Sequence, residues 1–448
     1  MSPTDTWAVG GPNVVASTGC RALDVLWLYE LADINPRRTT HAATLHSLDY
    51  SCARHRVIAW NCWHQVPSAI RKARFDVIIL DANLLTIRSR FDFNECRRRL
   101  QWVGDSNAIR IALPQDEYLW TGVLEDWLLE LDVDIIFSAF GATYAERLYP
   151  RLRGRIEFEH CFTGYIYSEL LKSDHTAVRP HIERTTDLVY RSRRPPFSLG
   201  ARAQLKHEIA IAGQRAALTA GLRHDIGTGD ESTLFGAAWF KLIASSRAIL
   251  GAESGAGAID LAGEVSQLEH AMRTQNPELT FEQFAAAMPA DWDGGPYFTI
   301  GPRHLEAAAA KTCQVLIEGR YDDVLEPDVH YIPVDPSFAR LPDVMERIRD
   351  PMHTQAIADR AYRDIVLSGL YSYGAFAAKI ERAIMPRLPS TSQGPPRGRR
   401  TMRAAAGLHD ALAVRTPLRA VGLLPPATRD RIKRAARRRR ERESKMDL

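Results

Sequence analysis

The first third of the chain alternates short apolar runs with longer stretches of helical or polar spacing. Residues 25–28 (VLWL), 57–60 (VIAW) and 77–80 (VIIL) are uninterrupted apolar runs, and 108–113 (AIRIAL) and 133–137 (VDIIF) carry one charge each. Runs without polar alternation are the mark of strands buried on both faces, and parallel strands satisfy that requirement best. Between them the spacing turns helical, as in Leu45, Leu48 and Cys52, and in the stripe Trp120, Leu124, Trp127, Leu128 and Leu131. This β/α alternation predicts an open, doubly wound sheet with right-handed crossovers, with 155–158 as a further strand.

A second alternation begins near Asp187, after the polar stretch 172–184. Its expected strands are 188–190, 216–219, 247–250, 314–317 and 331–334, and helices follow from 341 to 384, where Leu341, Val344, Met345 and Ile348 share one face. The reading is α/β with two tandem Rossmann-like domains, at 1–171 and 185–384, and a cleft between them. Ligands of such sheets bind beyond the carboxyl ends of the strands, so facing ends can hold two substrates together. From 385 to 448 the text becomes rich in Pro, Ser, Gly and Arg, a composition that builds no core and predicts a largely disordered tail.

Composition adds two constraints. The 448 residues are 45% hydrophobic and 25% charged, ordinary globular usage, and no window approaches the roughly 20 apolar residues of a membrane span. The N-terminus lacks a basic segment followed by a sustained apolar core, so a cytoplasmic protein is expected. Charge is unevenly distributed. From Arg387 onward there are 17 Arg and Lys against 5 Asp and Glu, leaving 41 against 49 in the rest, so a body of net −8 carries a tail of net +12.

Two stretches carry candidate chemistry. Residues 248–263 (AILGAESGAGAIDLAG) read as a buried strand, a loop of small residues and a helical start. Gly251, Gly255 and Gly257 allow backbone amides to approach an anion at the positive end of a helix, and they equally allow close packing of helix on strand. In 301–319 (GPRHLEAAAAKTCQVLIEG), Pro302 suits a first helical turn, and Glu306 either binds a ribose diol or complements the helix dipole. Cys52, His55, Cys62 and His64 have ligand types that zinc accepts, but they flank the ends of one strand, so ordinary core roles are favoured. Asp291-Trp292-Asp293 has the form of a metal motif but lies in a polar turn, and chance is favoured there as well. His41 and His160 are candidate bases in the first domain.

The stretch Glu306 to Leu316, with 233–264 (TLFGAAWFKLIASSRAILGAESGAGAIDLAGE), 301–334 and 368–384 around it, resembles the C-terminal domain of GT-B glycosyltransferases, in particular a bacterial group 1-like set linked to surface-polysaccharide assembly. The resemblance covers about 187–384. It implies a metal-independent, hexosyltransferase-like enzyme that uses a nucleotide sugar as substrate, needs no cofactor, and binds acceptor on the first domain and donor on the second. It also implies that Glu306 meets the donor ribose, that Arg303 and the loop Glu253, Ser254, Gly255 and Gly257 lie near the phosphates, and that Arg191 or Arg193 with Lys206 stabilises the departing diphosphate. The sequence departs from the family's Glu-x7-Glu pattern, having Phe298 where the first glutamate belongs, which leaves donor sugar and stereochemical outcome open and names no catalytic residue.

The expected partners are a nucleotide sugar, a glycan or lipid-linked acceptor and, through the tail, an anionic membrane surface. Nucleic acid is disfavoured because the tail has no interleaved aromatics. Two other functions fit the same fold: a nucleotide-sugar epimerase, and a non-catalytic scaffold docked by its tail.

Overall fold

The computed structural model describes residues 22–31, 47, 54–167 and 179–388. The tail beyond 388, His41, Cys20, Cys52 and the helical spacing at Leu45 and Leu48 lie outside these residues.

The first sheet has six parallel strands, β1 (Asp24–Tyr29), β2 (Arg56–Asn61), β3 (Val77–Leu80), β4 (Ile109–Ala112), β5 (Ile135–Ser138) and β6 (Glu157–His160), in the spatial order β2-β1-β3-β4-β5-β6. Both faces are covered, which is why the apolar runs show no alternation. Leu26, Leu28, Ile78 and Leu80 pack under helix α1 (Thr121–Glu130) with Leu124, Trp127 and Leu128. Val25, Trp27, Val77 and Ile79 point the other way.

The second sheet has strands β7 (Thr186–Arg191), β8 (His224–Gly227), β9 (Ser246–Gly251), β12 (Cys313–Ile317) and β13 (Tyr331–Val334), again all parallel, in the order β13-β12-β9-β7-β8. A short antiparallel pair, β10 (Ser254–Ala256) and β11 (Tyr297–Thr299), stands between β9 and β12 in the chain. The helices that shape the site are α2 (Ala201–Thr219), α3 (Ala237–Ala244), α4 (Glu264–Gln275) and α5 (Pro302–Ala309). Helix α6 (Leu341–Arg349) buries the expected face of Leu341, Val344, Met345 and Ile348. The architecture is α/β, with two Rossmann-like sheets.

Two expectations change. Residues 216–219 form the last turn of α2 rather than a strand, and the strand is β8. Alanine and leucine favour a helix there, whereas β8 lies at the sheet edge, partly exposed and polar, and so lacks an apolar run. The span 185–384 is also not confined to the second sheet. Its final helix, α7 (Tyr373–Ile384), crosses back and buries Phe376, Ile380, Ala383 and Ile384 against the outer face of the first sheet, with Phe137 and Phe376 edge-to-face at 5.9 Å. His55 on the first sheet's side meets Glu381 of this helix at 3.0 Å.

The sheets are joined by backbone as well as side chains. Asp260 N–H donates to the Tyr118 carbonyl (2.9 Å) and Thr121 N–H to the Asp260 carbonyl (3.0 Å). At a second seam Ile166 N–H donates to the Tyr371 carbonyl (2.8 Å) and Tyr373 N–H to the Ile166 carbonyl (3.1 Å). The carboxyl ends of both sheets open into the space between these seams.

Candidate functional site

A cleft of about 730 Å3 lies between the sheets, walled by Phe140, Tyr144 and His160 from the first and by Arg202, Glu253, Phe298 and the 318–323 loop from the second. Phe298 takes part in the wall, with the Arg202 guanidinium 5.3 Å from its ring centre. The His160 imidazole is neutral, its pKa lowered to about 4 by burial and then by the Lys379 ammonium.

The glycine-rich stretch does not form the expected strand, loop and helix. Ser254, Gly255 and Ala256 are strand β10, laddered to β11. Gly255 sits at φ +140, and a Cβ there would lie 2.0 Å from the Tyr297 carbonyl oxygen, so close packing is what demands the glycine. Gly257 N–H donates to the Leu199 carbonyl at 2.8 Å, and a Cβ on Gly257 would strike Asp293. Glu253 is 6% exposed and filled: Arg202 donates to one oxygen (2.7 Å), and the Arg320 and Tyr321 amides donate to the other (3.0 and 2.9 Å). Helix α4 begins only at Glu264, and its first amides already donate to the Asp260 carboxylate. Glu253 thus ties the end of β9 to the 318–321 loop.

Asp293 accepts from Ala201 N–H at 2.6 Å, at the start of α2, and Trp292 packs edge-to-face on Phe284, so the Asp-Trp-Asp turn has a packing role. Cys62, Cys96, Cys161 and Cys313 are buried free thiols. Among the described residues, no group of three or more His, Cys, Asp or Glu converges to hold a metal.

A different set of predicted residues does converge. Arg303 stands in the first turn of α5, beneath which Pro302 meets Gly164 of the first sheet's side so closely that a Cβ on Gly164 would lie 2.8 Å from the proline ring. The Arg303 guanidinium donates to the Arg191 carbonyl (2.5 Å) and lies 5.1 Å from the centre of the Trp239 ring. Lys206, on α2, is partly buried, and its pKa falls to about 8 through desolvation and then through Arg303, with Asp116 and Glu253 acting in the opposite sense. Among the described residues neither Lys206 nor Arg303 forms an ion pair with a carboxylate. Opposite charge is nonetheless near, from Asp116 and Glu253 for Lys206 and from Glu306 for Arg303.

Glu306 lies one turn further along α5. Burial raises its pKa, with the Trp239 hydrogen bond and Arg303 pulling it back down. Trp239 Nε1 donates to its Oε2 at 2.8 Å, while Oε1 has no hydrogen bond among the described residues. Two calls separate from this cluster. The Arg191 guanidinium is committed to the Asp225 carbonyl and carboxylate of β8 (both 2.8 Å) and contributes its carbonyl to Arg303 instead. Arg193 is exposed. Trp239 escaped sequence reasoning, because a tryptophan in an apolar helix reads as core.

No family model and no curated protein matches the chain. Solved structures similar to it are glycosyltransferases and related nucleotide-sugar complexes. Anabaena HepE, in complex with UDP and glucose, shares 10% identity over 81% of this chain and 100% of its own, with a TM-score of 0.44. The T4 phage β-glucosyltransferase, in complex with UDP-glucose, shares 11% over 81% and 99% (TM-score 0.43). AviGT4, a glycosyltransferase involved in avilamycin A biosynthesis, shares 11% over 82% and 98% (TM-score 0.39).

Proposed function

We propose that the protein is a glycosyltransferase that moves a sugar from a nucleotide-sugar donor to an acceptor hydroxyl, in cell-surface polysaccharide or glycoconjugate assembly. What supports the reading is that Lys206 and Arg303 lie within electrostatic reach of each other, neither in a salt bridge among the described residues, while Oε1 of Glu306 makes no hydrogen bond there. A nucleoside diphosphate matches that array: the diphosphate meets two fixed cations and a ribose hydroxyl donates to Oε1. The same cations stabilise the charge that builds on the diphosphate as the glycosidic bond breaks, without a metal ion.

In this reading residues 1–171 carry the acceptor side and the second sheet carries the donor, with α7 fastening the two. The basic segment after 388 docks the enzyme on an anionic surface where lipid-linked acceptors reside. Salt-sensitive binding to anionic vesicles, lost on truncation after Leu388, tests that part. Among the described residues no helix is long and apolar enough to cross a membrane.

The central test is calorimetric titration with nucleoside diphosphates of each common base. Binding by the wild type that is lost on Glu306→Ala, with the fold intact, is the expected result. Unchanged affinity in that variant removes the ribose assignment, and no binding of any nucleotide removes the donor site. Glycosylation of an added acceptor, rather than a changed donor sugar, separates transfer from epimerisation.

A further inference from the structure

The two seams between the sheets differ in kind. At one the chain itself passes across: it runs from β6 through Ile166 on its way to β7, and returns at Tyr371 to Tyr373 into α7. At the other, two loops remote in sequence lie side by side. Leu119 and Asp260 form a parallel bridge. Asp260 N–H donates to the Tyr118 carbonyl (2.9 Å), Thr121 N–H to the Asp260 carbonyl (3.0 Å) and Gly122 N–H to the Leu261 carbonyl (3.0 Å). The result is a fragment of sheet shared between the two halves of the molecule.

Both loops are held from behind. On the first sheet's side Arg88, 4% exposed, donates to the carbonyls of Leu85 (2.8 Å), Gln115 (3.2 Å), Asp116 (2.6 Å) and Leu119 (2.9 Å). Glu117, fully buried, accepts from Ala139 N–H and the Tyr149 hydroxyl (both 2.8 Å) and from the Ser138 hydroxyl (3.1 Å). Asp116 is left as the exposed side chain of the loop, with the Tyr118 hydroxyl donating to it at 2.9 Å. Trp120 holds φ +53 without being glycine, a conformation that persists only where surrounding structure over-determines it. On the second sheet's side Asp260 accepts from the Gly263 and Ser266 amides (2.9 and 3.1 Å) and from the Ser266 hydroxyl (2.6 Å), which fixes that loop to α4. The two sides meet at Gly263, φ +92, where a Cβ would run into the Trp120 indole.

The β10–β11 hairpin adds apolar contact. Ala256 and Tyr297 are cross-strand partners, and both are buried in the core cluster of the first sheet, with Tyr297 edge-to-face on Phe140 at 5.9 Å. Phe298, next along β11, takes the other side of the strand and lines the cleft. One face of the hairpin is thus anchored under the opposite sheet while the other shapes the cavity.

We propose that this seam is a clasp that holds the two sheets together over the cleft before any ligand binds, so that the width of the cleft is set by the fold and not by ligand-driven closure. Rotation about the Ile166–Tyr371 seam would break the three backbone bonds and withdraw Ala256 and Tyr297 from an apolar core into water, and both steps oppose opening. The inference stands whichever ligand the cleft takes. That ligand enters a cavity of about 730 Å3 that is already formed, and its binding requires no further ordering of the two halves.

Hydrogen exchange of the full chain without ligand tests the clasp. In the wild type the Thr121, Gly122 and Asp260 amides should exchange within about 10-fold of amides inside the sheets, such as Ile79 in β3 and Leu316 in β12. Gly263→Ala drives a Cβ into the indole. Trp120→Gly removes the indole and accepts the left-handed backbone without strain, so it decides the question where Gly263→Ala fails to fold. In either variant the seam amides should exchange about 10-fold faster or more, with Ile79 and Leu316 unchanged. Seam amides that exchange in the wild type like those of exposed loops, while the sheets stay protected, would show that the sheets part at rest and would overturn the proposal. Unchanged seam exchange in Trp120→Gly would overturn it as well.

Discussion

The two sheet ends that face each other manage charge in opposite ways. At the end of the first sheet the buried ions are fully enclosed by hydrogen bonds: Arg88 by four carbonyls, Glu117 by three donors. At the end of the second, Lys206 and Arg303 lie within electrostatic reach of each other, and among the described residues neither forms a salt bridge. The first arrangement stabilises a loop and fixes one exposed carboxylate. The second places two cations near the Asp116, Glu253 and Glu306 carboxylates without a direct salt bridge to any of them. Charge at one end therefore serves the fold, and at the other, in the proposed reading, it would serve binding.

The largest effect that breaks this contrast should come from Arg88→Met. It removes hydrogen bonds to four carbonyls, three of them only part-buried, at about 1 kcal/mol or less each, so urea denaturation should show a loss of up to about 4 kcal/mol. Next is pH. Burial raises the pKa of Glu117 to about 7, outweighing the Ala139 amide, the Tyr149 and Ser138 hydroxyls and Arg88. A carboxyl whose folded pKa exceeds its unfolded value favours folding when protonated, so its contribution is complete below the ordinary value of 4.5 and is lost as pH rises through about 7. The wild type should lose up to about 3 kcal/mol between pH 5 and 8 from this group, and Glu117→Gln should flatten that dependence.

At the second sheet the readouts should reverse. Lys206→Ala and Arg303→Ala should each weaken nucleoside diphosphate binding by about 2 kcal/mol, roughly 30-fold, with Tm unchanged or raised. A fall in Tm without a change in affinity would show that both cations serve the fold. The smallest effect should be that of Trp239→Phe, about 1 kcal/mol in affinity. Because the indole N–H stabilises the ionised form of Glu306, its loss should raise that pKa further, and the affinity deficit should narrow as pH increases. A deficit that is constant with pH would mean that Trp239 acts only through packing.

The sequence carried the strands wherever both faces are buried. Val25, Val57 and Val77 lie in uninterrupted runs, and Ile111 and Ile135 in runs with one charge each, because both sides of the sheet are covered. It failed at β8, whose edge position allows polar residues, and at β10 and β11, three residues each and too short for a period to show. Lys206, Arg303 and Glu306 were singled out through motif resemblance, and the proposed function builds on them. For the glycines the sequence left two roles open, because small residues serve close packing and anion binding alike; Tyr297, Leu199 and Asp293 are the neighbours that Gly255 and Gly257 pack against.

By itself, then, the sequence determined what repeats locally: alternation of buried strands and helices, two sheets, a first helical turn at Pro302, a basic tail. Pattern suffices there because each element's burial is written in its own few residues. Only the tertiary structure decided that α7 returns to the first sheet, that Trp239 holds Glu306, and that Arg88 is buried among carbonyls while Asp116 stays exposed. Those are contacts between residues 28 to 67 or more positions apart, and no local period encodes which partner a charged side chain will meet.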